Sequence, residues 1–176
     1  MKKGQLMRLM LISTSALIIV GVIILNALRG RDNTRDVVGV DLKNGEAQIV
    51  EVEDLDGTKT MTFENLSLLP GDSCECVIKL TADASEKYDL KLDFVDLDAE
   101  KTLKDFVRVK IEAGSETVYD GLLASAIQKE DMTVSVDSKS KKNTELKLTY
   151  YMPLEVGNEA KNAEADFELK LTASNE

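Results

Sequence analysis

Residues 88–94 read Tyr-Asp-Leu-Lys-Leu-Asp-Phe, and this stretch decides the fold class. Its apolar side chains, Tyr88, Leu90, Leu92 and Phe94, alternate strictly with charged ones. Because successive side chains of a β-strand point to opposite faces, the four apolar side chains share one face and the charges take the other. A helix would distribute the same residues around its circumference. The stretch therefore predicts a half-buried β-strand.

The same alternation recurs in short runs along most of the chain, with turn residues between them. Such runs lie in 106–112, at Met132, Val134 and Val136, at Leu146, Leu148, Tyr150 and Met152, and at Ala165, Phe167, Leu169, Leu171 and Ala173. Earlier runs predict strands over 37–42, 47–52 and 60–66, and Lys43-Asn44-Gly45-Glu46 predicts a hairpin between the first two of these. Eight to ten short strands are expected.

One apolar and one charged face on nearly every strand implies two sheets packed face to face. We therefore predict an all-β fold, an antiparallel β-sandwich of the jelly-roll or immunoglobulin-like kind, over residues 32–176. A parallel α/β sheet would need strands that are apolar on both faces, with helices between them. Helix candidates are limited to 98–105 and 122–128.

The first 31 residues differ from the rest of the chain. They carry basic but no acidic side chains, and residues 9–28 form an uncharged apolar stretch. A helix of this length crosses the hydrocarbon core of a bilayer, which is about 30 Å thick. We predict a basic cytoplasmic start and a transmembrane or signal helix in 1–31, either an uncleaved signal anchor, a cleaved signal peptide or a prepilin-type leader cut after Gly4. The membrane is thus a predicted partner, contacted through residues 9–28.

Composition excludes several classes of function. The 176-residue chain has 22 Lys and Arg against 32 Asp and Glu, a net charge of -10, and no His. Without an imidazole, Ser-His-Asp and Cys-His catalysis and His-ligated zinc are excluded. An acidic surface also argues against nucleic acid as a partner, because binding a polyanion requires a basic surface. We predict no enzymatic activity.

Two cysteines, Cys74 and Cys76, follow the turn 70–73 and lie in a predicted strand. They project to the same face as Ile78 and Leu80, so the first interpretation is a pair of small buried thiols. A disulfide within or between chains is the alternative, since their Cα atoms would be about 6.5–7 Å apart. Zinc would need further Cys or His ligands, and redox catalysis normally uses a C-x-x-C spacing.

Two acidic clusters make calcium the one cofactor with a chemical basis. Their members are Glu51, Glu53, Asp54 and Asp56 in the first cluster, and Asp93, Asp96, Asp98 and Glu100 in the second. Carboxylate oxygens that converge on a loop suit Ca²⁺. Neither cluster has the spacing of a calcium-binding loop, so the preferred interpretation is solvated surface charge, and no cofactor is predicted.

Three turn segments carry a resemblance to a known family. Residues 63–73 read Phe-Glu-Asn-Leu-Ser-Leu-Leu-Pro-Gly-Asp-Ser and join two predicted strands. Residues 119–124 read Tyr-Asp-Gly-Leu-Leu-Ala, and residues 151–160 read Tyr-Met-Pro-Leu-Glu-Val-Gly-Asn-Glu-Ala. From about Thr60 to the C terminus, the chain resembles the TasA and camelysin (CalY) family of Gram-positive bacteria.

This resemblance implies an exported β-sandwich of the cell surface and biofilm matrix that assembles into fibres by strand donation. In that mechanism the N-terminal segment of one subunit completes a sheet of the next. The donor strand would comprise about 36–42, with Val37, Val38, Val40 and Leu42. Camelysin-like members have been described as metalloproteases, but a chain without His has no chemical basis for that activity.

Two function hypotheses follow. The first is a structural protein of the Gram-positive cell surface, membrane-anchored or secreted, that forms matrix fibres or anchors them. Its partners would be further copies of this chain or related surface subunits. The second is a monomeric, membrane-anchored, adhesin-like binding module, whose first strand would stay paired within its own sheet.

Overall fold

The computed structural model describes residues 37–53, 57–81, 87–160 and 162–175. The apolar stretch 9–28 and the acidic residues Asp54 and Asp56 lie outside the described residues. Within the described ranges, no helix is long and apolar enough to span a membrane. The strands are β1 Val37–Val40, β2 Ala47–Glu53, β3 Thr58–Leu66, β4 Ser73–Thr81, β5 Lys87–Asp96, β6 Arg108–Ala113, β7 Glu116–Leu122, β8 Met132–Asp137, β9 Glu145–Tyr151 and β10 Ala165–Asn175.

Burial along β5 confirms the alternation of residues 88–94. Tyr88, Leu90, Leu92 and Phe94 are buried, while Lys91 between them is exposed. The apolar positions that the sequence predicts to point inward in β6, β8, β9 and β10 also face the core. Ala173 is the exception, since it is only partly buried. The period of two therefore identifies the inner face of each of these strands correctly.

The strands form two five-stranded sheets. The first sheet has the order β1-β3-β10-β5-β8, and the second has the order β2-β4-β9-β6-β7. Strands β3 to β10 form the order β3-β10-β5-β8 opposite β4-β9-β6-β7, which is the arrangement of a jelly roll. The predicted all-β sandwich is confirmed, and its topology is the jelly-roll alternative rather than the immunoglobulin-like one.

The prediction of purely antiparallel sheets is wrong at one edge of each sheet. There β1 pairs in parallel with β3, and β2 pairs in parallel with β4. These two strands extend the jelly roll beyond its eight strands. The chain reverses direction between β1 and β2, which lies in the second sheet, and again between β2 and β3. Strands β1 and β3 therefore run in the same direction.

The predicted hairpin at residues 43–46 is also wrong. Asn44 and Gly45 do form a turn, but this turn carries the chain from the first sheet to the second. Its partner is the start of β4, since the Gly45 N–H donates to the Ser73 carbonyl at 2.7 Å and the Ser73 N–H donates to Asn44 Oδ1 at 3.2 Å. An Asn-Gly pair specifies a turn, whereas contacts distant in sequence decide where the flanking strands go.

An aromatic cluster occupies the middle of the core between the sheets. The Phe167 ring stacks on Phe63 with centroids 4.6 Å apart, and it contacts Tyr150 at 5.5 Å and Phe94 at 6.1 Å. Phe63, Phe94 and Phe167 belong to the first sheet and Tyr150 to the second. The cluster therefore joins the two layers.

Local structure departs from the sequence prediction at two further places. Strand β7 was not predicted, because its residues are mostly exposed or half-buried at the edge of the second sheet and show no clean alternation. The two helix candidates shrink to a 3-10 helix at Leu103–Asp105 and to α1 at Leu123–Ile127, and a second 3-10 helix lies at Asn158–Ala160. Each helical piece carries a buried apolar residue, as Leu103 and Leu123 show.

Candidate functional site

Strand β1 contains three of the four predicted donor residues and lies at the edge of the first sheet. Among the described strands its four residues pair only with β3, in a parallel register from Val37 opposite Thr60 to Val40 opposite Phe63. Val40 is 4% exposed and Val38 packs against the core, whereas Val37 is 53% exposed. A fully buried Val side chain contributes roughly 1.5–3 kcal/mol, and β1 has one such side chain. The strand is therefore held weakly compared with the central strands.

Within the described residues, backbone hydrogen bonds to β4 hold only the second half of the connection from β1 to β2. Gly45 bonds Ser73, and the Glu75 N–H donates to the Glu46 carbonyl at 3.1 Å, so the second half of the connection is fixed to β4. The first half contains Leu42, which packs against the core, and an exposed ion pair between Asp41 and Lys43 at 3.2 Å. A strand that detaches from β3 would therefore hinge at about residues 41–43.

Both cysteine thiols lie in the core. Cys74 and Cys76 are 1% and 0% exposed, and both are free thiols opposite Tyr150 and Leu148 of β9. Burial, with the neighbouring Glu75 charge, raises the pKa of Cys74 to about 12, and burial, with Cys74 nearby, raises the pKa of Cys76 to about 12. Since the thiolate is the reactive form, both groups are unreactive at neutral pH.

In the second acidic cluster, a lysine ammonium group contacts the Asp96 carboxylate and two backbone carbonyls of the adjoining loop. Lys104 Nζ lies 2.6 Å from Asp96 Oδ2, 3.3 Å from the Asp98 carbonyl oxygen and 3.2 Å from the Ala99 carbonyl oxygen. These are oxygen types that would ligate calcium, and here they bind the chain's own cation. Among the described residues no group of three or more His, Cys, Asp or Glu side chains is placed to hold a metal ion.

A second lysine connects the same loop to β3 and β10. Lys101 Nζ contacts Asp166 Oδ2 at 2.8 Å, Glu164 Oε2 at 3.2 Å and Asn65 Oδ1 at 3.3 Å. Asp166 also accepts a hydrogen bond from the Asn65 backbone N–H at 2.7 Å. Burial acts to raise the pKa of Asp166, but the hydrogen bonds from Lys101 and Asn65 outweigh it, and the pKa is lower than usual.

This geometry predicts a loss of stability in acid that depends on Asp166. Because its pKa is lower in the folded than in the unfolded chain, Asp166 stabilises the fold above about pH 4, and this contribution is lost as the pH falls through its folded pKa. We expect Asp166→Asn to lower the free energy of unfolding at pH 7 by about 1 kcal/mol, a small value because solvent reaches the pair. Urea unfolding at pH 7 and pH 3 measures the difference.

The matched control for this prediction is Asp93→Asn, on the outer face of β5, where no ion pair is formed within the described part of the chain. We expect it to change stability little at either pH. The gap between the wild-type and Asp166→Asn stabilities should be smaller at pH 3 than at pH 7, and an equal gap at both pH values would contradict the role of the Asp166 charge.

The turn segments 63–73 and 151–160 are in direct contact. The Gly71 N–H donates to the Met152 carbonyl at 2.9 Å, and the Met152 N–H donates to the Asp72 carbonyl at 3.0 Å. Gly71 has a φ of +90°, and a Cβ at this position would lie 2.9 Å from Leu154 Cδ2. The positive φ therefore favours glycine here, and a larger residue would also have to displace the exposed Leu154 side chain. These segments build one end of the sandwich.

The third segment has a structural explanation of its own. The Tyr119 hydroxyl donates to the Leu122 carbonyl at 2.9 Å, so the ring folds back over Gly121. A Cβ at Gly121 would lie 2.5 Å from the Tyr119 hydroxyl oxygen. The Lys129 ammonium lies 5.3 Å from the centre of the same ring, within the range of a cation–π contact. The segment thus orders the turn from β7 into α1.

A polar groove on the outer face of the first sheet was not predicted. It has a volume of about 410 Å³, and we call its six lining residues the outer-face grid: Thr58, Thr60, Lys91, Asp93, Lys170 and Thr172. The register of β3, β10 and β5 arranges them in two rows of three. One row is Thr60, Lys170 and Asp93, and the other is Thr58, Thr172 and Lys91.

The alternation of polar and apolar residues in the sequence indicates which residues of β5 and β10 point outward, but it does not predict the outer-face grid. Lys91 and Asp93 lie at polar positions of the opening stretch, and Lys170 and Thr172 lie at polar positions of the last strand. What brings them together is the pairing of strands that are far apart in sequence. A sequence pattern shows that a residue faces outward, but it does not show which residue stands beside it.

Comparison of the sequence with protein families and with curated proteins finds no match. Similar solved structures include the CUB1-EGF-CUB2 domains of rat MASP-1, with a TM-score of 0.39 and 11% identity over 72% of this chain and 43% of that one. This chain thus covers less than half of the rat structure. The chain is also similar to PliG from Aeromonas hydrophila, a periplasmic inhibitor of g-type lysozyme. The TM-score is 0.35 and the identity 7%, over 73% of this chain and 99% of PliG. Its Salmonella Typhimurium form has a TM-score of 0.30 and 10% identity over 80% and 100%. Similarities this low assign neither a family nor an activity.

Proposed function

We propose that the protein is a non-catalytic structural component of the bacterial cell surface that assembles by donating β1 to the first sheet of a neighbouring copy. The observation that carries this proposal is the weak attachment of β1, a four-residue edge strand whose one partner in the described part of the chain is β3. The apolar stretch 9–28 would anchor the chain in the membrane, or would be removed to release it. The resemblance of the turn segments to the TasA and camelysin family supports the same function.

Donation would exchange identical contacts. If β1 leaves β3, the backbone edge of β3 loses its partner along residues 60–63, and the core loses Val40 and the packing of Val38. The β1 of a second copy restores the same hydrogen bonds and the same side-chain burial. The net cost is then mainly the entropy of association, which is smaller for chains held in one membrane at a high effective concentration. A fibre subunit or a fibre anchor would both use this exchange.

The second candidate is a monomeric, membrane-anchored, adhesin-like binding module. One specific observation favours it: β1 pairs with β3 of its own chain, with all four residues in register. If this pairing persists in solution, the edge of β3 is closed to donors, and the protein would act as a single displayed domain. The two candidates therefore differ in the identity of the chain that supplies β1.

Cysteine cross-linking distinguishes the two candidates. Gly39 of β1 lies opposite Thr62 of β3, and a Cβ at Gly39 meets no atom within 4 Å. We expect full-length Gly39→Cys and Thr62→Cys chains, mixed in lipid vesicles and oxidised, to form disulfide-linked pairs that peptide mass spectrometry maps to residues 39 and 62. Neighbouring strands place Cα atoms within disulfide range, and the buried Cys74 and Cys76 do not compete.

The control mixture uses the other parallel edge pair, Ile49 of β2 and Val77 of β4. Since β2 is not the proposed donor, Ile49→Cys and Val77→Cys chains should give only background cross-linking. A Gly39→Cys/Thr62→Cys chain, oxidised as a dilute monomer, should be locked and unable to assemble. Assembly of the wild-type chain together with background cross-linking at 39 and 62 would exclude β1 as the donor. A wild-type chain that stays monomeric at high density would favour the binding module.

A further inference from the structure

The outer-face grid contains a buried polar atom that no described residue satisfies. Thr60 is 2% exposed, and within the described residues its Oγ1 has no hydrogen-bond partner. Its neighbours in the second row behave differently, since the Thr58 and Thr172 hydroxyls lie 3.0 Å apart and bond to each other. A buried hydroxyl without a partner costs free energy, and the large majority of such groups in folded proteins are satisfied. Thr60 lines the groove, so a ligand that displaces a neighbouring side chain there would reach and satisfy this hydroxyl.

Two of the three charged side chains of the grid make no ion pair within the described residues, and the third makes a long one. Lys170 stands between Thr60 and Asp93 in its row, yet its nearest carboxylate oxygen in an ion pair is Glu168 Oε2 at 3.9 Å. In the part of the chain that the structure describes, neither Asp93 nor Lys91 makes an ion pair. The grid therefore offers two ammonium groups, one carboxylate and hydroxyls to a bound molecule.

This combination selects a class of ligand. A simple inorganic anion would attract Lys91 and Lys170 but would be repelled by Asp93. A neutral sugar would hydrogen-bond the hydroxyls and Asp93 but would leave both ammonium groups without a counter-charge. We propose that the outer-face grid binds an acidic saccharide, a sugar unit that carries a carboxylate beside free hydroxyl groups. The ligand carboxylate pairs with Lys170 and Lys91, one hydroxyl donates to Asp93, and another bonds Thr60 Oγ1.

The dimensions of the groove fit this class. The grid covers three strands about 4.8 Å apart and two rows about 6.7 Å apart, so its polar surface matches one or two saccharide units. The groove has a volume of about 410 Å³ and lies on a sheet face, where a polymer chain can pass across it. All six of its residues belong to β3, β5 and β10, and Thr60 stands opposite Val37 of β1 whichever copy supplies that strand, so the site is the same with or without strand donation.

Titration calorimetry on the full-length chain in detergent micelles tests the proposal. The probes are trimers of galacturonic, glucuronic and mannuronic acid, with maltotriose as the neutral probe and inorganic phosphate as the simple anion. We expect at least one acidic trimer to bind at least tenfold more tightly than maltotriose or phosphate. Thr60→Val and Lys170→Met should each weaken that binding about tenfold or more. Lys79→Met, an exposed lysine on the opposite sheet, is the matched control and should bind like the wild type.

The thermal stability of Thr60→Val shows whether the Thr60 hydroxyl serves ligand binding or the stability of the fold. The valine has the same shape without the hydroxyl, so the ligand-free variant should unfold about 2–4 °C higher while it loses binding. Lack of binding by all three acidic trimers would overturn the proposal, as would equal binding by Thr60→Val and Lys170→Met. Phosphate binding as tight as that of the acidic trimers would reduce the grid to an anion site and would also overturn it.

Discussion

Replacing Phe167 with Ala is expected to lower the free energy of unfolding by about 3–5 kcal/mol, a large part of the 5–15 kcal/mol that holds a typical domain together. The Phe167 ring is 0% exposed and contacts Phe63, Phe94 and Tyr150, so its removal opens a cavity where the two sheets meet. The surrounding rings belong to both layers and cannot all close the gap. Urea unfolding followed by tyrosine fluorescence and by circular dichroism measures the change.

The control for this prediction is Phe106→Ala. Phe106 is a half-buried ring next to the 3-10 helix, outside the aromatic cluster. We expect a loss below about 1.5 kcal/mol there, because a partly exposed side chain gains less from burial. Equal effects at Phe167 and Phe106 would contradict the central position of the cluster.

Replacing both cysteines with serine is expected to destabilise the fold by about 2–6 kcal/mol. Each Ser would place a hydroxyl in the core, where Cys74 and Cys76 are 1% and 0% exposed, and an unsatisfied buried hydroxyl costs about 1–3 kcal/mol. The Tyr150 hydroxyl, on the strand opposite, is itself buried without a partner among the described residues. A Ser hydroxyl that bonds the Tyr150 hydroxyl would bring the loss to the lower end of this range. Thermal and urea unfolding of the full-length chain measure the loss.

The comparison that isolates polarity is the Cys74→Ala/Cys76→Ala variant. Ala removes the sulfur atom as Ser does but introduces no hydroxyl, so the double Ala chain should be more stable than the double Ser chain. Equal stability of the two would mean that the site tolerates a hydroxyl, and it would contradict an apolar environment around the thiols.

The strand pattern could be predicted from the sequence because burial and the β-pleat act on adjacent residues. In residues 88–94 the inner and outer faces follow directly from the order of the side chains, and the structure confirms them. The same logic placed Cys74 and Cys76 beside Ile78 on an inward face, where the structure also has them. It failed for β7, whose edge position leaves both faces partly exposed.

The path between the sheets could not be predicted. Asn44 and Gly45 carry a strong local turn signal, yet β1 and β2 lie in different sheets, because the turn bonds Ser73 of β4 rather than closing a ladder. A backbone edge forms the same hydrogen bonds with any strand, so pairing is selected by side-chain packing between residues far apart in the chain. For the same reason, the sequence did not predict the parallel pairing of β1 with β3 and of β2 with β4.

The candidate sites show the same distinction between features set by local sequence and features set by long-range packing. The sequence by itself determined the all-β class, the inner and outer face of most strands, the apolar residues of the first strand and the absence of imidazole chemistry, because each depends on composition or on neighbouring residues. Only the tertiary structure decided that β1 closes the edge of its own sheet, that Lys104 occupies the acidic loop, and that Thr60, Lys170 and Asp93 stand in one row. Those arrangements depend on the register between strands, which long-range packing sets and local sequence does not encode.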